Sequence, residues 1–246
     1  MVPRRIVLPL LLAVVACAGC ARDDPRSLTV FAAASLTSAF EQLAHRFEQT
    51  HAGVHVDLHT AGTPRLVLQI QEGAQADVFA SADEAQMQRI VAAGMARGQP
   101  IAFAYNSMTL ITPRDRAAIQ SLRDLQSPRA RVLLCAPSVP AGRYARAVLA
   151  KAGIDVRSVS DEPNVRAVIA KVRLGLVDAA IVYRSDARGD TKLRCLPIDA
   201  ADNVRTTYPV VTLRDARSPE LAERFVRFVL GETGRQVLAE NGFDLP

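Results

Sequence analysis

The sequence contains no tryptophan, and aromatic residues account for only 5% of its 246 residues. A stacking platform for a nucleobase or a sugar would therefore have to come from a few Tyr and Phe side chains. The sequence also lacks a Gly-x-Ser-x-Gly elbow, a P-loop and a Gly-x-Gly-x-x-Gly turn. These absences disfavour the classes of hydrolase and nucleotide-binding protein that depend on those motifs.

The chain also lacks a large surplus of charge, with 30 Lys and Arg residues against 25 Asp and Glu. Two of the arginines, Arg4 and Arg5, lie in an N-terminal segment that we expect to be removed, and the others are scattered. A balance this close to neutral, without a basic cluster, does not point to nucleic acid. We therefore expect no nucleic-acid partner.

The N-terminus has no apolar run as long as the roughly 20 residues that a membrane-spanning helix needs. Residues 6–16 form a shorter uncharged run, which follows two arginines and precedes small residues. This order is typical of a secretory signal peptide, which we place at residues 1–20. A short polar linker follows at residues 21–27, so the mature protein is expected to work outside the cytoplasm.

The end of this signal can be read in two ways. Residues 18–20 read Ala-Gly-Cys and resemble the end of a bacterial lipoprotein box, in which the cysteine becomes the lipidated first residue. The alternative is ordinary cleavage after Ala18. We favour lipidation of Cys20.

Only two cysteines remain in the body of the chain, Cys135 and Cys195. An exported protein meets an oxidising compartment, in which these two residues could form a disulfide. Two buried free thiols fit the sequence equally well. The sequence therefore leaves their pairing open.

Beyond the linker, apolar runs of strand length alternate with segments of helical periodicity. This order predicts an α/β protein in which helices cover a parallel sheet. The predicted strands cover residues 28–32, 54–59, 77–80, 101–105, 107–112, 131–135, 178–183, 192–198 and 209–213. The predicted helices cover residues 37–50, 66–71, 84–93, 142–152, 164–174, 219–230 and 233–241.

The extended runs at 101–105 and 209–213 are candidates for crossings between two lobes. With such crossings, the last two helices return to the first lobe, and a cleft separates the lobes. The chain then divides into lobe I, residues 28–104 plus 209–246, and lobe II, residues 105–208.

Four steps between a strand or loop and a helix carry small polar residues or Pro and Gly. Ser35 and Thr63 are predicted to cap the first two helices, Thr63 because Pro64 is favoured at a first helical position. Residues 140–142 open another helix, and Asn164 precedes the next. Helix N-termini offer free N–H groups and a positive dipole end, so several aimed at one point make an anion site. Each step is also explained as an ordinary cap, and the sequence does not show that they converge.

A metal site is suggested by His55, Asp57 and His59, which would share one face of a strand. A half-solvated strand explains the same alternation, because Val56 and Leu58 would occupy the other face. We favour the second interpretation and expect no metal ligand here.

Five segments carry a more specific pattern. They read VFAAASLT at 30–37, QI at 69–70 with GAQADVFASAD at 73–83, PSVPAGRYA at 137–145, NVRAV at 164–168 and IVYRSDA at 181–187. In this order they resemble the molybdate-binding proteins that supply ABC transporters. The similarity extends from about residue 28 to residue 243, which is essentially the whole mature chain.

The resemblance implies the two-lobed periplasmic-binding-protein fold of type II. In this fold each lobe is a mostly parallel sheet flanked by helices, and the ligand lies in the cleft between the lobes. By motif, the oxyanion ligands would be Ser35, Thr63, Ala141, Val165 and Tyr183. The first two would offer hydroxyl and backbone N–H groups, the next two backbone N–H groups at helix starts, and Tyr183 its phenol.

The resemblance also implies a periplasmic solute-binding protein that captures molybdate or tungstate for the membrane permease of an ABC importer. We expect a monomer that is not an enzyme and has no cofactor or catalytic residues. The only metal expected is that of the oxyanion, and the only contact with a membrane, apart from the permease, is the lipid anchor at Cys20.

One segment departs from the family pattern. Residues 61–65 read Ala-Gly-Thr-Pro-Arg, where the family usually has a Ser- or Gly-rich step that often ends in Ser. Pro64 removes a backbone donor, and Arg65 is expected to place a cation close to the cleft. This step therefore bears on selectivity among oxyanions.

Three other functions remain open to the sequence. The ligand could be another small anion such as sulfate or phosphate. An exported enzyme on the same fold would need a general base for Ser35, and no His lies in the five segments. A regulatory effector domain would need a DNA-binding segment, where this chain has a signal peptide instead.

Overall fold

The computed structural model describes residues 26–116 and 118–246. The predicted signal peptide at 1–20, the lipidation of Cys20 and most of the 21–27 linker lie outside the described residues. Within the described ranges, no helix is both long enough and apolar enough to cross a membrane.

Strands and helices alternate along the described chain, as the periodicity predicts. The strands are β1 (Ser27–Ala33), β2 (His55–Ala61), β3 (Val78–Ala80), β4 (Ala96–Pro113), β5 (Val132–Cys135), β6 (Asp161–Glu162), β7 (Ala179–Tyr183), β8 (Leu193–Pro197) and β9 (Arg205–Leu213). The helices are α1 (Thr37–Thr50), α2 (Thr63–Gln71), α3 (Glu84–Ala92), α4 (Pro140–Lys151), α5 (Val165–Arg173), α6 (Arg184–Ala187), α7 (Pro219–Leu230) and α8 (Glu232–Glu240). Single 3-10 turns cover Ala34–Leu36 and Arg123–Gln126.

The strands pair in the order β2-β1-β3-β9-β4-β7-β5-β6, with β8 also paired to β4. Strand β1 is parallel to both β2 and β3, and β5 is parallel to both β6 and β7. The antiparallel pairings all involve β4 or β9. The sheet thus has two parallel parts joined by two long antiparallel strands.

Strand β4 connects the two parts. Its residues from Ala96 to Ser107 pair with β9, and those from Met108 to Pro113 lie between β7 and β8. We call β1–β3 with α1–α3, α7 and α8 the first lobe, and β5–β8 with α4–α6 the second lobe. The predicted boundaries at 104/105 and 208/209 fall within the strands that link these lobes, and the boundaries themselves stay a prediction.

The prediction of two separate strands at 101–105 and 107–112 is wrong, because β4 is one continuous strand. Asn106 separates the two predicted strands, yet it pairs in register with Thr206 of β9. Its buried side chain is satisfied locally, since the amide oxygen accepts a hydrogen bond from the Ser107 N–H at 2.9 Å. A polar residue with a partner does not interrupt a strand.

The core of the first lobe includes the C-terminal helices. Helix α1 buries Phe40, Leu43 and Phe47 on one face. The ring of Phe225 in α7 lies 5.1 Å from that of Phe47 and 6.3 Å from that of Phe40. The last helices therefore pack onto the first lobe, and such edge-to-face pairs add to the free energy of apolar burial.

Both described cysteines are free thiols. Cys195 on β8 pairs with β4, and two further strand spacings separate β4 from β5, which carries Cys135. Three spacings of about 4.8 Å place the two residues about 14 Å apart, beyond the reach of a disulfide. Of the two readings that the sequence left open, the structure therefore supports free thiols. Cys135 is buried and Cys195 is exposed, so the expectation that both are buried is wrong for Cys195.

Candidate functional site

A small cavity with a mostly buried lining lies between the two lobes. The volume open to the centre of a water-sized sphere is about 10 Å³, roughly enough for one water molecule. It is lined by Ala33, Ala34, Ser35, Gly62, Thr63, Ala82, Val139, Pro140, Ala141, Asn164, Val165 and Tyr183. All five residues predicted as oxyanion ligands therefore lie around one cavity, although they come from both lobes.

Ser35 reaches the cavity from a 3-10 turn between β1 and α1, not as the N-cap of α1 as predicted. Leu36 occupies the N-cap position, without a side-chain hydrogen bond to the helix. The Ser35 hydroxyl instead lies 3.2 Å from the hydroxyl of Tyr208. The cap prediction is wrong by one residue, although α1 begins at Thr37 as predicted. Ser35 lies inside the 3-10 turn, which leaves its side chain free to face the cleft.

Thr63 is the first residue of α2, and Gly62 holds the N-cap position. The predicted cap at Thr63 is therefore wrong by one residue. A Cβ atom on Gly62 would lie 2.3 Å from the carbonyl oxygen of Pro163 in the opposite lobe. Only glycine allows this approach, and the contact brings the two lobes together beside the cavity.

The Pro64-Arg65 step affects the cavity less than its sequence indicates. Pro64 does occupy the first turn of α2 and has no N–H to offer. Arg65 is exposed and does not line the cavity. The prediction that Arg65 places a cation close to the cleft is therefore wrong, because position 65 lies on the solvent side of the helix.

The second lobe contributes two helix starts, as predicted. Helix α4 begins at Pro140, and Ala141 follows in its first turn. Helix α5 begins at Val165 and is capped by Asn164, whose side-chain oxygen accepts a hydrogen bond from the Ala167 N–H at 3.0 Å. The N–H groups of Ala141 and Val165 belong to first helical turns, so they have no carbonyl partner within their own helices.

Tyr183 ends strand β7 and is almost fully buried. Among the described residues its hydroxyl has no hydrogen-bond partner of normal geometry, although the ring of Tyr208 lies 5.7 Å away. Burial, followed by the nearby phenols of Tyr208 and Tyr144, raises the pKa of Tyr183 well above its ordinary value. The phenol is therefore a neutral donor that faces a cavity without a partner, which is costly unless a ligand accepts the hydrogen bond.

The electrostatics of the cavity come from dipoles. None of the described residues that line it is charged. Three helix N-termini, those of α2, α4 and α5, contribute lining residues. Each N-terminus carries a partial positive charge and free N–H groups, so their convergence suits an anion.

Sequence reasoning missed two residues that support this arrangement. Tyr208 is fully buried, and its hydroxyl contacts Ser35 and also the amide nitrogen of Asn106 at 3.5 Å. The same Asn106 nitrogen donates to the hydroxyl of Ser185 at 2.8 Å. These contacts link both lobes to the connecting strands, and the residues that meet are up to 173 positions apart.

The candidate metal residues lie away from the cavity on β2. His55 contacts Glu48 and Asp57 at 3.1 and 3.2 Å, and His59 lies 3.2 Å from the amide oxygen of Gln69. These histidines are exposed and engaged with neighbouring side chains. Within residues 26–116 and 118–246, no group of three or more His, Cys, Asp or Glu residues could hold a metal ion.

A second, larger cavity of about 300 Å³ adjoins the first at Ala34 and Ser35. It differs in its charges, since Arg166, Arg173, Arg188, Asp186 and Glu240 are among its lining residues. Burial raises the pKa of the Asp186 carboxyl to about 7, and Arg166 opposes this shift. This cavity therefore contains acidic and basic side chains, which the described lining of the small cavity lacks.

The chain is similar to known proteins over almost all of its described residues. The model of the bacterial extracellular solute-binding proteins matches residues 28–244. The molybdate-binding protein ModA of Mycobacterium tuberculosis is 41% identical over 223 residues, which cover 90% of this chain and 85% of the relative. ModA of Escherichia coli is 32% identical over 248 residues, with 94% and 93% covered.

Solved structures show the same fold. The periplasmic molybdate-binding protein of Azotobacter vinelandii superposes with a TM-score of 0.80 at 20% identity, over 89% of this chain and 99% of that one. The sulfate-binding protein SubI of M. tuberculosis gives 0.78 at 16% identity, over 88% and 86%. The two-lobed α/β fold predicted from the sequence is confirmed, and the chain belongs to the family of bacterial extracellular solute-binding proteins.

Proposed function

We propose that this protein binds molybdate or tungstate outside the cytoplasm and delivers it to the membrane permease of an ABC importer. The observation that carries the proposal is the meeting of Ser35, Thr63, Ala141, Val165 and Tyr183 around one small, uncharged cavity. Two relatives at 41% and 32% identity are molybdate-binding proteins, which supports the same ligand here.

The proposed contacts are all donors. The hydroxyl groups of Ser35 and Tyr183, and the N–H groups at the starts of three helices, would point toward the oxygens of the anion. A hydrogen bond to a charged group contributes about 1.5–3 kcal/mol net. Five such bonds, less the costs of association, are compatible with micromolar or tighter binding.

Binding requires the lobes to move. A tetrahedral oxyanion has five heavy atoms, whereas the cavity in this closed arrangement has room for about one water molecule. The lobes therefore separate to admit the ligand and then close around it with more room than in this structure, with the hinge in β4 and β9. This motion also accords with lobes divided at 104/105 and 208/209.

Selectivity over sulfate is proposed to come from the size of the closed cavity, because the charge and shape of these dianions are alike. Arg65 adds no charge to the lining, and Pro64 contributes no donor. The contact at the start of α2 then rests on Thr63 alone.

The protein is proposed to act as a monomer without a cofactor and without catalysis. The nearest side-chain partner of Ser35 is the Tyr208 phenol, and no His is among the described residues that line the cavity. Burial raises the pKa of Tyr208 well above its ordinary value, so this phenol is a poor general base. Cys20 is proposed as a lipid anchor that keeps the protein close to the permease.

The test is a calorimetric titration of the purified mature chain with molybdate, tungstate, sulfate and phosphate in turn. We expect saturable 1:1 binding of molybdate and tungstate at micromolar or lower concentration, and at least tenfold weaker binding of the other two. Tight binding of sulfate or phosphate without binding of molybdate would mean that the same site serves a different anion. No response to any of the four anions would overturn the proposal.

A further inference from the structure

An ion pair joins the two lobes beside the cavity. Asp83 belongs to the first lobe, is fully buried, and caps α3 by accepting the Gln86 N–H at 2.8 Å. Its other carboxylate oxygen accepts a hydrogen bond from Nη2 of Arg143. Arg143 belongs to the first turns of α4 in the second lobe. The pair can therefore form only when the lobes are together.

The position of the pair places it at the wall of the anion cavity. Asp83 follows Ala82, and Arg143 lies two residues beyond Ala141, both of which line the cavity. The Arg143 guanidinium also lies 5.3 Å from the ring of Tyr144, whose ring lies 6.4 Å from that of Tyr183. Opening the lobes would break the pair and uncover the cavity at the same point.

The charge of Asp83 reaches the cavity. After burial and the neighbouring phenols, Asp83 is a further cause of the raised pKa of Tyr183. Burial lowers the pKa of the Arg143 guanidinium, but the Asp83 carboxylate raises it above its ordinary value. Without a partner, the Asp83 carboxylate beside the cavity would repel a bound dianion. The Arg143 guanidinium neutralises this charge.

We propose that Arg143 determines the affinity for the oxyanion without touching it, because its pairing with Asp83 holds the lobes closed and cancels a repulsive charge. This inference rests on the proposed function. Arg143 is therefore a positioning residue and is not one of the donors that line the cavity.

The same helix provides a matched control. Arg146 lies one turn further along α4, pairs with Asp161 at 2.9 Å, and also donates hydrogen bonds to the carbonyl oxygens of Cys135 and Gly142 at 2.7 and 3.1 Å. The two arginine side chains have similar exposed fractions, 40% for Arg143 and 34% for Arg146. Both partners of the second pair belong to the second lobe, so that pair persists whether the lobes are open or closed.

The experiment compares Arg143→Gln with Arg146→Gln in the full mature chain. Dissociation of molybdate is followed by stopped flow, its Kd by calorimetry, and the melting temperature is measured without ligand. We expect R143Q to raise the dissociation rate constant and the Kd about tenfold. R146Q should leave both within about twofold. Because R146Q also loses hydrogen bonds to two backbone carbonyls, its melting temperature without ligand should be no higher than that of R143Q, so a loss of affinity confined to R143Q is not a loss of stability.

A second variant isolates the role of charge. Asp83→Asn keeps a good helix cap but removes the negative charge. Combined with R143Q, it should recover part of the lost affinity, since no unpaired carboxylate then faces the anion.

Three results would overturn the inference. These are an unchanged Kd in R143Q, an equal loss in R146Q, or a double variant as weak as R143Q alone with a lower melting temperature. If the native chain binds none of the four oxyanions, the proposed function fails first and this inference falls with it. If the native chain binds molybdate and R143Q binds it equally well, only the inference fails.

Discussion

The two neighbouring cavities between the lobes differ in almost every physical respect, although they share Ala34 and Ser35. The small cavity has room for about one water molecule, and its described lining is mostly buried and uncharged. The large one holds about 300 Å³ and is lined in part by three arginines and two acidic residues. The site proposed for an anion is thus the cavity without a cation.

The difference follows from solvation. In the large cavity two of the charges already have partners, since Arg173 pairs with Asp190 and Glu240 lies 3.7 Å from Arg46. A buried oxygen of Asp186 has no hydrogen-bond partner among the described residues, so this cavity also contains an acid that disfavours an anion. Water and salt weaken what such groups offer a ligand. In the small cavity, fixed N–H and O–H dipoles lie among mostly buried residues, where the dielectric is low and each hydrogen bond to an anion is stronger. A few oriented neutral donors can then hold a dianion without a compensating charge.

The strongest test of this contrast is Gly62→Ala. The added Cβ would lie 2.3 Å from the Pro163 carbonyl oxygen, so the lobes could not close over the small cavity. We expect a loss of about 3 kcal/mol, or more than a hundredfold in the Kd for molybdate. Calorimetry measures the Kd, and thermal unfolding without ligand serves as the control, because the open protein accommodates the methyl group. An unchanged Kd would show that enclosure is unimportant.

Ser35→Ala should have an intermediate effect. Removing a donor to a buried anion costs about 1–3 kcal/mol, so the Kd should rise between about fivefold and 150-fold. Ser38→Ala is the matched control, because Ser38 is exposed and lines only the large cavity. Calorimetric titration of both variants with molybdate makes the comparison. Equal affinities for S35A and the native chain would remove Ser35 from the site.

Arg188→Gln should have the smallest effect. Arg188 is exposed and lines the large cavity but not the small one. Its interaction with an anion in the small cavity is screened by solvent, so we expect the Kd to change by less than about twofold. A tenfold or larger loss of affinity in the same titration would mean that the anion also contacts the large cavity. The contrast between the two cavities would then no longer hold.

Features that depend on short stretches of chain were predicted well. The starts of α4 at Pro140 and of α5 after Asn164 match the sequence, because Pro and Asn act on the turn in which they stand. The caps at Ser35 and Thr63 were wrong for an equally local reason. A 3-10 turn and an N-cap glycine each displaced the cap by one residue, a difference that composition does not encode.

The sequence by itself determined that strands and helices alternate in an α/β fold, and its five segments identified the family. The predicted ligand positions carry only neutral donors, but the sequence also placed the Arg65 cation close to the cleft, and only the structure removed it. These properties follow from side-chain periodicity and from the chemistry of single residues.

Only the tertiary structure decided that the predicted ligands meet. Ser35 and Thr63 reach the cavity from the first lobe, and Ala141, Val165 and Tyr183 reach it from the second. The contacts of Tyr208 with Ser35 and of Arg143 with Asp83 join residues 173 and 60 positions apart. No local pattern records such distances, because they depend on how β4 and β9 set one lobe against the other.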